Sequence, residues 1–133
     1  MAVISGDGVF SHVFLGAVDT AASAKFYDAA LGALGIRNLG SFGDGWVLYG
    51  REKPAFIIAR PGNGAPPTSN GVTIGFAAAS PAEVDAFHAA GLANGGTDEG
   101  APGPRSHLPG AYAAYLRDPA GNKVCTYTFT DGN

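Results

Sequence analysis

The residues equipped for chemistry in this 133-residue chain are few: imidazoles at His12, His88 and His107, a lone thiol at Cys125, and the guanidinium of Arg105 close to His107. An imidazole titrates near neutrality, so His12 suits proton transfer, metal ligation or hydrogen bonding to a substrate. The competing reading is a strand histidine bonded within its own sheet. Cys125 reads first as a small buried hydrophobe. A reactive thiolate needs a positive group beside it. His12 supplies one if the two strands face each other, and the thiol pKa then falls. Arg105 and His107 lie in the loop Gly103–Gly110, and loops on a rigid scaffold often carry function. The forked donors of Arg105 match an anionic group; the plain alternative is an exposed loop. His88 follows Phe87 in a helical stretch and reads as a surface or boundary residue.

Other chemistries are excluded by what the chain lacks. There is no GxSxG elbow and no phosphate-cradling loop, and the glycine pairs are spaced wrongly for a dinucleotide fingerprint. A net charge of −3 without a basic run argues against a nucleic-acid partner. Hydrophobic residues at 46% and charged residues at 14% describe a globular chain. One cysteine rules out an internal disulfide and fits a reducing, cytoplasmic setting. The N-terminus lacks the charged-then-apolar order of an export signal. No apolar run approaches the roughly 20 residues that span a membrane.

The elements that hold these residues come in two copies. His12-Val-Phe-Leu-Gly-Ala-Val-Asp19 lies over Thr73-Ile-Gly-Phe-Ala-Ala-Ala-Ser80 without a gap, and in the same register Phe26 falls on Phe87, Leu31 on Leu92 and Gly35 on Gly96. Each copy starts with an apolar strand and a helix N-cap, Asp19 or Ser80. Ser80-Pro81-Ala82-Glu83 offers a capping box with proline at the first helical position. The first helix buries Ala22, Phe26, Ala30 and Leu34, flanked by Tyr27 and Leu31; the second buries Val84, Phe87 and Leu92. Gly35 stops the first, and Gly91 or Gly95-Gly96 the second. Strands are expected over Ile36–Gly40, Gly45–Tyr49 and Pro54–Ala59 in the first copy. In the second copy they are expected over Gly96–Glu99 (a poor one), Ala111–Leu116 and Lys123–Phe129. Asp118–Asn122 reads as a turn and Pro61–Asn70 as a linker.

The chain is thus expected to be one α+β domain over 1–133, with module one at about 8–60, the linker at 61–70 and module two at about 71–130. Each module is βαβββ. Paired curved mixed sheets then enclose a central cleft, with the helices on the outside. Trp46, Tyr49, Tyr112, Tyr115, Tyr127 and Phe129 fall on strands, and some of them must line that cleft.

Three stretches carry a family resemblance: His12-Val13; Asp19 through Phe26-Tyr27 to Leu31-Gly32; and Asp118-Pro119-Ala120-Gly121-Asn122-Lys123-Val124. With them the chain resembles the vicinal-oxygen-chelate superfamily, which includes glyoxalase I, extradiol dioxygenases, fosfomycin-resistance enzymes and bleomycin-binding proteins. Catalytic members hold one divalent metal through His or Gln and Glu on the first and last strands of each module. Carried over, those positions are His12, Thr73, Cys125 and a residue near Phe56, with Ile58 the other candidate. Two of these can ligate, and open catalytic sites usually retain three protein ligands.

The resemblance therefore implies a small-molecule-binding protein with an incomplete metal site and no cofactor, its ligand contacts drawn from His12, Trp46, Phe56, Thr73, Arg105, His107, Tyr112 and Cys125. The alternative is a lyase or dioxygenase that uses Zn, Ni, Mn or Fe on His12 and Cys125, with His107 swinging in and His12 catalytic. A third reading is a module for protein association. A homodimer is expected in each case.

Overall fold

The two apolar runs that open the copies each become a strand followed by a capped helix. A computed structural model describes residues 8–43 and 45–130. Residues 1–7, on which the reading of the N-terminus largely rests, lie outside the described residues. The first module consists of β1 (Val13–Gly16), α1 (Thr20–Gly32), β2 (Arg37–Phe42), β3 (Trp46–Gly50) and β4 (Phe56–Ala59). The second consists of β5 (Thr73–Ala77), α2 (Pro81–Ala93), β6 (Thr97–Pro104), β7 (Ala111–Arg117) and β8 (Lys123–Phe129). The strand orders β1-β4-β3-β2 and β5-β8-β7-β6 are the same, so the duplication read from the sequence is a duplication of topology. In each sheet the first strand pairs in parallel with the last, which a helical crossover permits. The fold is α+β with two mixed four-stranded sheets.

Both helices start where their caps predict. Asp19 accepts from the amides of Ala21 at 3.0 Å and Ala22 at 3.2 Å. Ser80 Oγ accepts from Glu83 N at 3.2 Å, and the Glu83 carboxylate accepts from Ala79 N at 2.9 Å. The box thus closes one residue outside its usual position. The Gly95-Gly96 pair ends α2, while Gly91 lies inside it.

The repeat does not preserve every role. Leu31 is fully buried in α1, but its counterpart Leu92 is 43% exposed in α2. The inward positions of α2 are Val84, Phe87, His88 and Gly91. His88, expected at the surface or boundary, is instead buried and bonds Asp98 Oδ1 through Nε2 at 2.8 Å.

Each helix keeps one face exposed, with Lys25 and Asp28 on α1 and Asp85 and Ala89 on α2, so the helices lie on the outside as expected. α1 and α2 pack on each other, and side chains of both helices and both sheets share one core, including Phe26, Tyr27, Phe56, Phe87 and Leu116. Gly91 and Gly96 allow this approach, since a Cβ at Gly96 would collide with the Phe26 ring and one at Gly91 with that ring and Leu116. The outward sheet faces carry exposed residues at Phe14, Phe42, Trp46, Thr73 and Ala77. The seam between modules narrows to a hollow of about 250 Å³.

The stretch Gly96–Glu99 was expected to be a poor strand, yet β6 runs eight residues through two prolines. It is an edge strand, where proline's missing amide hydrogen costs no ladder bond. Register shifts on either side of Gly100 absorb the irregularity. Pairing with β7 overrides the weak local propensity.

Candidate functional site

β8 alternates sides along its length. Val124 and Thr126 face the core, while Lys123, Cys125 and Tyr127 face out. Across the parallel ladder Thr73 pairs with Lys123, Gly75 with Cys125 and Ala77 with Tyr127. Tyr115 of β7 pairs with Cys125 from the other side. Arg105 and His107 follow the end of β6. A cavity of about 510 Å³ is lined by Thr73, Glu99, Arg105, His107, Tyr115 and Lys123. That size suits a small molecule.

Its electrostatics are cationic. The Arg105 guanidinium carbon lies 5.4 Å from the Tyr115 ring centre, and Lys123 Nζ lies 5.3 Å from it. Arg105 donates to the carbonyls of Ala101, Gly103 and Pro104 at 3.2–3.3 Å. Arg117 Nε donates to Glu99 at 2.6 Å, which holds that carboxyl below its ordinary value. The other ion pair among the described residues is His88–Asp98, so neither Arg105 nor Lys123 is in a contact ion pair, though Lys123 also helps to lower the Glu99 carboxyl. The Tyr115 and Tyr127 hydroxyls share a short hydrogen bond. Burial first, then that bond, raises the Tyr115 phenol.

Burial also pushes the Cys125 thiol up to about 11, outweighing the Tyr115 hydroxyl, Lys123 and Arg105. Cys125 is thus the small buried residue that its first reading expected, and His12 is not among the groups that act on its thiol. His12 stands just before β1 in the other module, exposed, with Nδ1 2.9 Å from Ser11 Oγ.

The sequence-derived candidates separate into groups. Thr73, Arg105 and His107 meet at the cavity, and Cys125 lies buried on the same face. Trp46 sits on the outer face of the other sheet, its ring 5.4 Å from Phe14 and 6.0 Å from Phe42. Phe56 faces inward, against Tyr27 at 4.9 Å and Phe76 at 5.2 Å, and lines the seam hollow. Ile58 is core. Tyr112 points toward α2 and donates to Asp85 at 2.7 Å. Phe56 and Ile58 therefore face the core, away from the outward face that holds Thr73 and Cys125, and His12 stands exposed before β1 of the other module. No three of His, Cys, Asp and Glu gather as a ligand set among the described residues. Phe56 offers no donor atom, and the protonated Cys125 is a poor one. These residues do not fit a resident divalent metal.

Lys123 and Glu99 escaped the sequence reading, and Tyr115 was not singled out from the strand aromatics. A signal was available. Counting by twos from Cys125 puts Lys123 and Tyr127 on its face.

The comparisons agree with this architecture. The family model for the Glyoxalase/Bleomycin resistance protein/Dioxygenase superfamily matches residues 9–126. A glyoxalase/bleomycin resistance protein from Albidiferax ferrireducens T118 is 52% identical over 89% of this chain and 96% of its own, with a TM-score of 0.78. A glyoxalase-related enzyme from Fulvimarina pelagi shares the fold at 20% identity, covering 92% of this chain and 94% of its own, with a TM-score of 0.68. A glyoxalase/bleomycin resistance protein/dioxygenase family enzyme from Burkholderia phytofirmans PsJN does so at 18% identity, covering 88% and 95%, with a TM-score of 0.69. No curated protein matches the chain. The match covers every element of both modules up to the middle of β8, the Asp118–Asn122 turn included, and the chain belongs to the Glyoxalase/Bleomycin resistance protein/Dioxygenase superfamily.

Proposed function

We propose that this member of the superfamily binds a small molecule without a resident metal, on the outward face of β5–β8. The observation that carries the reading is a separation. Thr73, Arg105, His107, Tyr115 and Lys123 surround one cavity, while His12 and Phe56 lie elsewhere. Function in this fold is set by the site rather than by the scaffold. A cavity walled by cations and an aromatic ring offers binding and orientation, and none of its described residues is a thiolate or an activated hydroxyl.

The proposal includes a second copy of the chain. Phe14, Phe42 and Trp46 form an exposed aromatic row on the outward face of the first sheet, with Phe42 65% exposed. Such patches usually mark an interface, and a twofold pair is the commonest closed arrangement. Among the described residues no helix is long and apolar enough to cross a membrane. The single buried cysteine suits the reducing cytoplasm proposed as its location.

Metal analysis of protein purified without chelator tests the reading. It predicts substoichiometric Zn, Ni, Mn and Fe, unchanged by His12→Ala. Stoichiometric metal that disappears with His12→Ala would replace it with a metal-dependent lyase or dioxygenase.

A further inference from the structure

We infer that the cavity on the outward face of β5–β8 selects ligands that carry an oxyanion, a carboxylate or a phosphate, on a planar apolar body. The inference rests on the ligand-binding reading above and adds the class of ligand.

Arg105, Lys123 and Arg117 bring three cations to this face, and Glu99 is the acid among the lining residues. Arg117 already occupies Glu99 and also donates to the carbonyl of Gly121 at 2.9 Å. Lys123 also acts on Glu99 through space but is not in contact with it, and among the described residues Arg105 forms no ion pair, in a chain whose net charge is −3. Both approach the same Tyr115 ring within 5.4 Å of its centre. One carboxylate thus faces three cations on this face, and an anionic ligand offsets the excess.

The Arg105 side chain is also preorganised. Three backbone carbonyls fix the Arg105 guanidinium, so little side-chain freedom remains to be lost on binding. A guanidinium has five N–H donors, and those three bonds leave some for a ligand. Gly100 keeps the flank bare: a Cβ there would stand 3.3 Å from Arg105 Nη2 and 3.4 Å from the Tyr115 ring.

The aromatic rings beside the cations suit a flat ligand body. Tyr115 meets Tyr127 edge-on with centroids 5.9 Å apart, and Tyr127 stacks on Phe129 at 5.7 Å. The aromatic row leads away from the cations along β8. Flat apolar groups pack on such rings.

The test uses the full chain, labelled with nitrogen-15, and four probes: benzoate, phenyl phosphate, benzamide and benzylamine. Benzoate, phenyl phosphate or both should shift the amides of Thr73, Gly100 and Lys123 saturably. Benzamide and benzylamine should bind at least tenfold more weakly. Benzoate alone would identify a carboxylate site, and phenyl phosphate alone a phosphate site. Lys123→Gln and, independently, Arg105→Gln should each weaken the bound anion at least fivefold while the rest of the spectrum is unchanged. Benzamide binding as well as benzoate at these amides would overturn the choice of an anion and leave the site standing. Shifts clustered around His12, or none at these amides with any probe at millimolar concentration, would overturn the site together with its ligand class.

Discussion

The Tyr27 hydroxyl donates to Asp118 Oδ2 at 2.6 Å, joining α1 of the first module to the last turn of the second. Both residues are buried. The same carboxylate oxygen accepts from Asn122 Nδ2 at 2.9 Å, and that amide also donates to the Gly16 carbonyl at 2.7 Å. Asp118 Oδ1 closes its own turn by accepting from Ala120 N and Asn122 N, each at 2.9 Å. The Phe26-Tyr27 and Asp118-Pro-Ala-Gly-Asn122 motifs are therefore two halves of one buried polar network. Such networks hold together only when every member is satisfied.

Tyr27→Phe removes one donor and leaves a buried carboxylate oxygen short of a bond. The expected loss is about 1–3 kcal/mol of folding stability. Urea denaturation followed by circular dichroism measures it. A loss below about 0.5 kcal/mol would mean that the link is not structural.

The same contact sets an alkaline limit. Burial first, then Asp118, raises the Tyr27 phenol well above its usual value. The unfolded phenol ionises near 10, so the unfolded state loses its proton first. The stabilisation is complete below that pH and declines as pH rises toward the folded value, by up to about 1.4 kcal/mol per pH unit. Tyr27→Phe should remove that share of the slope. Equal slopes for the two proteins between about pH 10 and 11.5 would refute the assignment.

At Gly91 two effects oppose each other. Alanine is favoured over glycine inside a helix by about 1 kcal/mol. Here the new methyl group meets Leu116 and Phe26. Overpacking a tight core costs about 1–3 kcal/mol, so Gly91→Ala should be net destabilising by up to about 2 kcal/mol. Adding Phe26→Leu should recover part of the loss relative to Phe26→Leu alone. A Gly91→Ala protein more stable than the parent would show that the packing of α2 on β7 and α1 is looser than described.

The outward aromatic row predicts the oligomeric state. Sedimentation should give a dimer, and Trp46→Arg, at a 38% exposed position, should shift it to monomer without loss of fold. A parent chain that sediments as a monomer at every concentration would remove the second copy from the account.

The duplicated topology was legible because strand, cap and helix recur in register, and caps depend on local chemistry alone. Phe26 and Phe87 read correctly because both lie on a helical stripe that the shared core buries. Leu92 did not, because its exposure depends on how α2 meets α1, which no local pattern encodes. The length of β6 was hidden too: Pro102 and Pro104 discourage a strand everywhere but at a sheet edge. At the site, Thr73, Arg105 and His107 were found and do converge. Placing Phe56, Trp46 and Tyr112 with them failed because each points to another face. One residue of strand parity decides that, and the sequence fixes parity only once one inward residue is known.

The most direct test of the central claim is to soak crystals of the chain with a chemically mixed fragment library and map where the fragments bind. The account predicts that they collect on the outward face of β5–β8, touching Tyr115 and Lys123. Fragments gathered around His12, or held by a metal that joins His12 to Cys125, would contradict it.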